Sequence, residues 1–323
     1  MFKRTLFAAA VTALTAGTAM AQSSVTVYGR ANVTAEYQKN IGADGTQKVL
    51  QNNASRLGFR GVEDLGGGLK ADFLLEHRFN IDNGGQTSSV FWAGDAYIGL
   101  AGGFGYLRAG RLTSEAYYAT ADFVSLHNHD TGTSDDKFYT YLGQNANTIS
   151  YRTPSFSGLT VEGSVSASEG RGDDKKVYGL AANWESGALA LGAGYELAET
   201  DDYQFALRAL YTMGSFTFGG YYQYSDLAGL GDRNAFRLSG MYTMGAGEFH
   251  VNVGFADDWS RLSDSGATQW TVAYNYNLSK RTKVYAFYTA VDNGNKFSYY
   301  GATGAGGKVL DPSSFAVGIR HNF

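Results

Sequence analysis

The sequence has no cysteine, only two prolines, and no long hydrophobic run once its first stretch is passed. Without cysteine there is neither a disulfide framework nor a thiolate-held metal. Nothing after residue 21 approaches the ~20 consecutive apolar residues that a spanning helix needs, so no membrane-crossing helix is expected there. Positive charge is in short supply too. Lys and Arg number 26 against 30 Asp and Glu, a net charge of −4, which argues against non-specific binding of nucleic acid. A chain so poor in proline meets few breaks in its strands.

What is abundant points the same way. There are 43 glycines, 23 tyrosines and 20 phenylalanines. Tyr and Phe favour strands, and Gly permits the tight turns between them. The first residues stand apart. Lys3 and Arg4 precede a small apolar stretch from Leu6 to Met20, and Ala19-Met20-Ala21 has the form of a cleavage site. Residues 1–21 are therefore expected to be an export signal, leaving 22–323 as one domain.

Period-two alternation runs through that domain. Val25, Val27, Gly29, Ala31, Val33, Ala35 and Tyr37 share one face, and Thr26, Tyr28, Arg30, Asn32, Thr34 and Glu36 the other. Phe249, Val251, Val253 and Phe255 oppose Glu248, His250 and Asn252 in the same way. Each such strand has one greasy and one wet side. Sixteen segments can be read, beginning near residues 24, 49, 69, 89, 104, 146, 159, 175, 188, 202, 215, 233, 248, 267, 281 and 313. Connections after even strands are tight, as at Leu65-Gly66-Gly67-Gly68 and Met213-Gly214. Those after odd strands are longer, as at 39–48, 81–88, 113–144 and 293–312. Short turns on one rim and long loops on the other describe a bacterial outer-membrane barrel. Closure is obligatory, because each unpaired edge group in hydrocarbon costs several kcal/mol. The expected fold is an all-β, sixteen-stranded antiparallel transmembrane barrel. A soluble β-sandwich rarely needs so many long strands in one domain.

Three stretches carry a resemblance. Ser55 to Ala71 reads SRLGFRGVEDLGGGLKA. Asp95 to Leu100 is followed by Gly105 to Arg111. The chain closes on Ser314 to Phe323, with Phe315, Val317, Ile319, His321 and Phe323 in alternation. With Val25-Thr26-Val27-Tyr28-Gly29, these resemble the Gram-negative general porins, most closely those of β-proteobacteria and neisseriae. The resemblance implies a passive channel for small hydrophilic solutes and ions in the outer membrane, not an enzyme. It implies a homotrimer among outer-membrane lipid and lipopolysaccharide, with no cofactor. It also makes Phe323 the signal read by the barrel-assembly machinery.

The 113–144 segment is too long for an ordinary loop of a compact domain and is expected to be functional. Its place after the fifth strand is where the family folds a loop into the lumen to form an eyelet. Glu115 and Asp122 are its first acidic residues, and Tyr117, Tyr118 and Phe123 could pack on the wall. Opposite, the family carries a basic ladder, matched here by Arg30 and Arg56. Gly94 and Gln144 stand where relatives often carry Arg, so only weak anion preference is expected. Arg60, Lys70, Glu76, Arg78, Arg108 and Arg152 have lumen-facing parity, and Arg111 begins the loop. A substrate-selective channel for a sugar or small carboxylate is the alternative.

Other patterns carry less. His127, His129 and Asp130 lie close together but lack a second ligand pair, so no metal site is read there. Gly66-Gly67-Gly68 precedes a strand rather than a helix and is no phosphate cradle. No Gly-x-Ser-x-Gly elbow is present.

Overall fold

The computed structural model describes residues 24–42, 44–124, 132–142, 146–168, 176–301 and 303–323. The expected export signal, the His127–Asp130 cluster and Gln144 lie outside these residues. Seventeen strand segments follow one another among the described residues. They are β1 (Ser24–Lys39), β2 (Thr46–Asn52), β3 (Arg56–Gly66), β4 (Leu69–Arg78), β5 (Ala96–Gly102), β6 (Gly105–Arg111), β7 (Thr148–Arg152), β8 (Leu159–Ser166) and β9 (Val177–Ser186). Then come β10 (Leu189–Ala198), β11 (Tyr203–Met213), β12 (Phe216–Leu227), β13 (Gly231–Met244), β14 (Gly247–Ala256), β15 (Ala267–Asn277), β16 (Thr282–Asn293) and β17 (Ser313–Asn322).

Each pairs antiparallel with its neighbours, and β1 pairs with β17, so the sheet closes on itself. The seventeen segments make sixteen staves, because β2 and β3 both lie along β1. Lys39 to Val33 pair with Thr46 to Asn52, and Arg30 to Ser24 pair with Arg56 to Val62. Between them Asn53-Ala54-Ser55 bulges, with Ala54 at φ 57°. Asn32 holds the bulge from across the strand. Its N–H donates to Ser55 Oγ at 3.0 Å, and its carbonyl accepts from the Asn53 N–H at 3.0 Å. An extra residue switches the stave's inward parity from odd to even. Arg56 thereby comes to face inward beside Arg30.

Strand starts agree with the sequence reading except at one place. The fourth stave begins at Ala96, not near residue 89. The Phe91 carbonyl is turned away to the His77 ring at 2.5 Å, and the ladder resumes only where Glu76 N–H donates to Asp95 O at 2.9 Å. The alternation of connection length also fails twice. The chain between β10 and β11 (199–202) and between β12 and β13 (228–230) is short on the long-loop rim.

The outer face keeps large apolar side chains exposed, among them Val25, Leu207, Val251, Trp270 and Phe315. Many buried positions on the staves are instead polar, including Asn32, Gln204, Gln223, Gln269 and Asn275. This inversion of a soluble protein's pattern is what lipid outside and a polar interior demand.

Candidate functional site

The long connection between β6 and β7 does not stay at the rim. It forms two short helices, α1 (Glu115–Ala119) and α2 (Ala121–Val124), and a 3-10 turn at Gly132–Ser134. Ser114 caps α1, its Oγ accepting from Tyr117 N–H at 3.3 Å. Glycines on the wall let the loop approach. A Cβ at Gly192 would lie 1.9 Å from the Ala119 carbonyl, and one at Gly194 2.7 Å from Ala116. Tyr117, Ala121, Val124 and Tyr139 then pack with Ala206 and Tyr221 of β11 and β12.

Polar bonds fasten the loop along its course. Ser114 Oγ donates to Glu196 at 2.5 Å, and Ser239 Oγ donates to the Val124 carbonyl. Thr140 N–H donates to Gln223 at 2.8 Å, and Arg233 donates to the Phe138 carbonyl at 2.5 Å. Asp136 is paired with Arg237 at 2.8 Å and accepts from Tyr221, all three side chains being buried. Burial alone would push the Asp136 carboxyl up, but Arg237 together with hydrogen bonds from Tyr221 and the Phe138 N–H outweighs it and holds it below the usual range. At the far end Thr133 Oγ1 donates to Glu36 at 2.9 Å. Glu36 is buried and also accepts from Thr34, Gln38 and Ser314.

The predicted residues fall into two groups. Arg108, Glu115 and Arg152 are drawn together with Glu162 where the loop leaves the wall. Arg108 donates to both carboxylates. Arg152 reaches Glu162 at 2.7 Å and Glu115 at 3.0 Å. Arg108 and Glu115 are buried, so they form a structural anchor rather than an open pore surface. Asp122 stays half-buried and accepts from Tyr117 Oη at 3.3 Å.

Arg30, Arg56 and Arg78 form the other group. The register sets Arg30 opposite Arg56, and Arg56 opposite Arg78. Glu76 lies 3.2 Å from Arg78 and 3.8 Å from Arg56. Glu76 also fills the place of a side chain at position 94, where a Cβ would meet it at 2.5 Å. Glycine there is thus a consequence of Glu76. Arg60 lies over the Tyr28 ring at 5.3 Å, Lys70 is exposed at the short-turn rim, and Arg111 reaches the Ala93 carbonyl at 3.4 Å.

Arg233 and Arg237, which hold the loop, escaped the sequence reading, as did Arg320 and Lys283. Arg320 of β17 pairs in register with Asn32 of β1 and with Lys283 of β16. Lys283 in turn lies 3.6 Å from Glu248. Arg78, Arg56, Arg30, Arg320 and Lys283 therefore follow one another on five adjacent staves that straddle the closing seam. Arg320 has the parity opposite to Val317 and Ile319, a signal the alternation already carried. The acceptors Asp95 and Glu196 were also unread. Asp95 takes both the N–H and the hydroxyl of Thr113, at 2.8 and 2.6 Å, and fixes the loop's start.

Comparison with known proteins places this geometry. The model of the Gram-negative porin family matches residues 8–296. Outer membrane porin protein 32 of Delftia acidovorans is 32% identical, over 99% of this chain and 100% of its own length. Major outer membrane protein P.IB of Neisseria meningitidis serogroup A is 28% identical over the same shares. Among solved structures, an anion-selective porin from Comamonas acidovorans superposes with a TM-score of 0.77 at 28% identity, covering 94% of this chain and 100% of that one. With the family matched over most of its length and a whole-length relative at 32%, the chain belongs to the Gram-negative porins, the barrel channels of the outer membrane.

Proposed function

We propose that this porin is a general diffusion channel whose eyelet lies between the docked loop and the seam arc, with weak anion preference. Small hydrophilic solutes pass down their gradients, excluded by size where the loop narrows the lumen. No reaction is catalysed and no cofactor is needed. Residues 1–21 direct export, the barrel-assembly machinery reads the strand ending at Phe323, and three copies assemble among lipid and lipopolysaccharide.

The observation that carries this reading is the unequal use of charge. On the loop's wall three carboxylates, Glu115, Glu162 and Asp136, face Arg108, Arg152 and Arg237, whereas on the seam Arg78 and Arg56 share Glu76, at 3.2 and 3.8 Å. A wall with more cations than paired carboxylates attracts anions and repels cations in a narrow pore.

A planar-bilayer reversal potential under a salt gradient tests it. Arg30→Glu combined with Arg56→Glu should move the channel toward cation selectivity in dilute salt. Lys48→Glu is the control, because Lys48 is exposed on the outer face opposite Tyr37. An equal shift in the control would trace selectivity to surface charge and defeat the eyelet assignment. Liposome swelling should order uncharged solutes by size alone. One sugar or carboxylate entering far faster than its size allows would favour a substrate-selective channel.

A further inference from the structure

The outer face of β1 carries one glycine among valines and alanines, and it behaves unlike its neighbours. Val25 and Val27 are 67% and 54% exposed, yet Gly29 on the same face is buried. Its cover is the Phe323 ring. A Cβ at position 29 would lie 2.4 Å from Phe323 Cζ and 2.7 Å from Cε2. The two residues face each other directly across the closing seam. Gly29 N–H donates to the Phe323 carbonyl at 3.0 Å, and Phe323 N–H donates to the Gly29 carbonyl at 3.1 Å.

We propose that Gly29 is the seat of the Phe323 ring, and that this contact sets the register in which β1 and β17 close the barrel. The inference is independent of the channel's selectivity. An aromatic ring laid across a glycine on the facing strand shields the bare backbone and pins the pairing. A slip of one residue is already forbidden, since it would turn every greasy side chain of β17 into the lumen. A slip of two keeps the faces and needs another restraint. In either such slip Val27 or Ala31 would face the ring, with a Cβ where the ring must lie. The pairing spans residues as far apart in sequence as Arg30 and Asn322, |i−j| = 292, so local structure cannot fix it. Gly29 and Phe323 are thus positioning residues for closure.

The absence of cysteine makes the test clean, because an introduced pair supplies the only thiols. Val33 and Ile319 are opposite in the observed register. Val33→Cys would be combined in turn with Ile319→Cys, with Val317→Cys and with His321→Cys. The protein would be refolded from urea into detergent and oxidised, with no cellular factor present to read a strand signal. Only the 33–319 pair should crosslink in the parent and in Phe323→Tyr. Phe323→Leu and Phe323→Ala should raise the slipped-to-native ratio about fivefold, the factor matching a cross-strand pair of ~1 kcal/mol. If Phe323→Ala does not fold, Phe323→Leu decides alone. Native-only crosslinking in Phe323→Leu overturns the proposal. So does a Gly29 α-proton resonance that Phe323→Leu leaves unmoved, since a seated ring must shift it.

Discussion

Two walls of this barrel carry arginine, and they use it in opposite ways. Along β6 to β8 and on β13 the guanidinium groups of Arg108, Arg152 and Arg237 are consumed by Glu115, Glu162 and Asp136, two of them brought by the loop. Across the seam Arg78, Arg56, Arg30, Arg320 and Lys283 stand side by side, with Glu76 shared by Arg78 and Arg56 at 3.2 and 3.8 Å and Glu248 3.6 Å from Lys283. The first wall turns charge into mechanical attachment. The second concentrates positive charge along the seam. Counting lumen-facing cations along the sequence therefore overstates the charge a solute meets. The loop decides which cations remain in play.

The largest effect that could break this contrast lies at Arg237. Removing one partner of a buried ion pair leaves the other charge uncompensated, at a cost of ~3–5 kcal/mol. Arg237→Ala should therefore free the middle of the loop. Single-channel recordings should show altered conductance and added noise, and protease should nick the loop. The strand ladder should survive, so heat stability of the barrel should change little. By contrast, Arg56→Ala removes a part-exposed pair worth ~0–1 kcal/mol. It should leave both conductance noise and protease resistance near the parent. Matching noise and protease sensitivity in the two variants would erase the distinction between the walls.

The fold was readable because membrane physics writes a period-two pattern into every stave. The alternation that runs from Phe249 to Phe255 misleads only where tertiary contacts interrupt a stave. Phe91 and Trp92 look like strand residues, but the His77 ring takes the Phe91 carbonyl, a contact invisible to periodicity. The bulge at Asn53-Ala54-Ser55 depends on Asn32, some twenty residues earlier in sequence. The site was harder. Arg30 and Arg56 were read by motif, and Arg320 and Lys283 were open to parity alone. Which cations are neutralised depends on how far the loop folds inward. Glu115 meeting Glu162 across a shared arginine is a tertiary event that no local spacing encodes.

Acidification gives an intermediate effect. The folded Asp136 carboxyl is held below its unfolded value, ~3.9. A depressed carboxylate contributes stability that is fully present above the unfolded value and lost as pH falls through the folded one. The loop anchor should hold from neutral pH down to about 4, with release only below that. Conductance recorded against pH checks this. A release step between pH 5 and 7 that Asp136→Asn abolishes would show that Arg237 does not hold the carboxyl down.

The smallest effect sharpens the seam side. Lys283 lies 3.6 Å from Glu248 and one strand from Arg320, toward the short-turn rim rather than beside the loop. Lys283→Gln removes one positive charge and leaves Glu248 less compensated, so both changes favour cations. The reversal potential should move in the same direction as in the Arg30 and Arg56 double variant, but less, because one charge is altered without reversal. Glu248→Gln should move it the opposite way. Screening falls from ~8–10 Å at ordinary salt to ~3 Å at 1 M, so both shifts should vanish in concentrated salt. Arg152→Gln is the matching change on the other wall, where it leaves Glu115 and Glu162 to Arg108 alone. If Lys283→Gln is silent in dilute salt while Arg152→Gln shifts the potential, the charge a solute meets lies on the loop's wall and not on the seam.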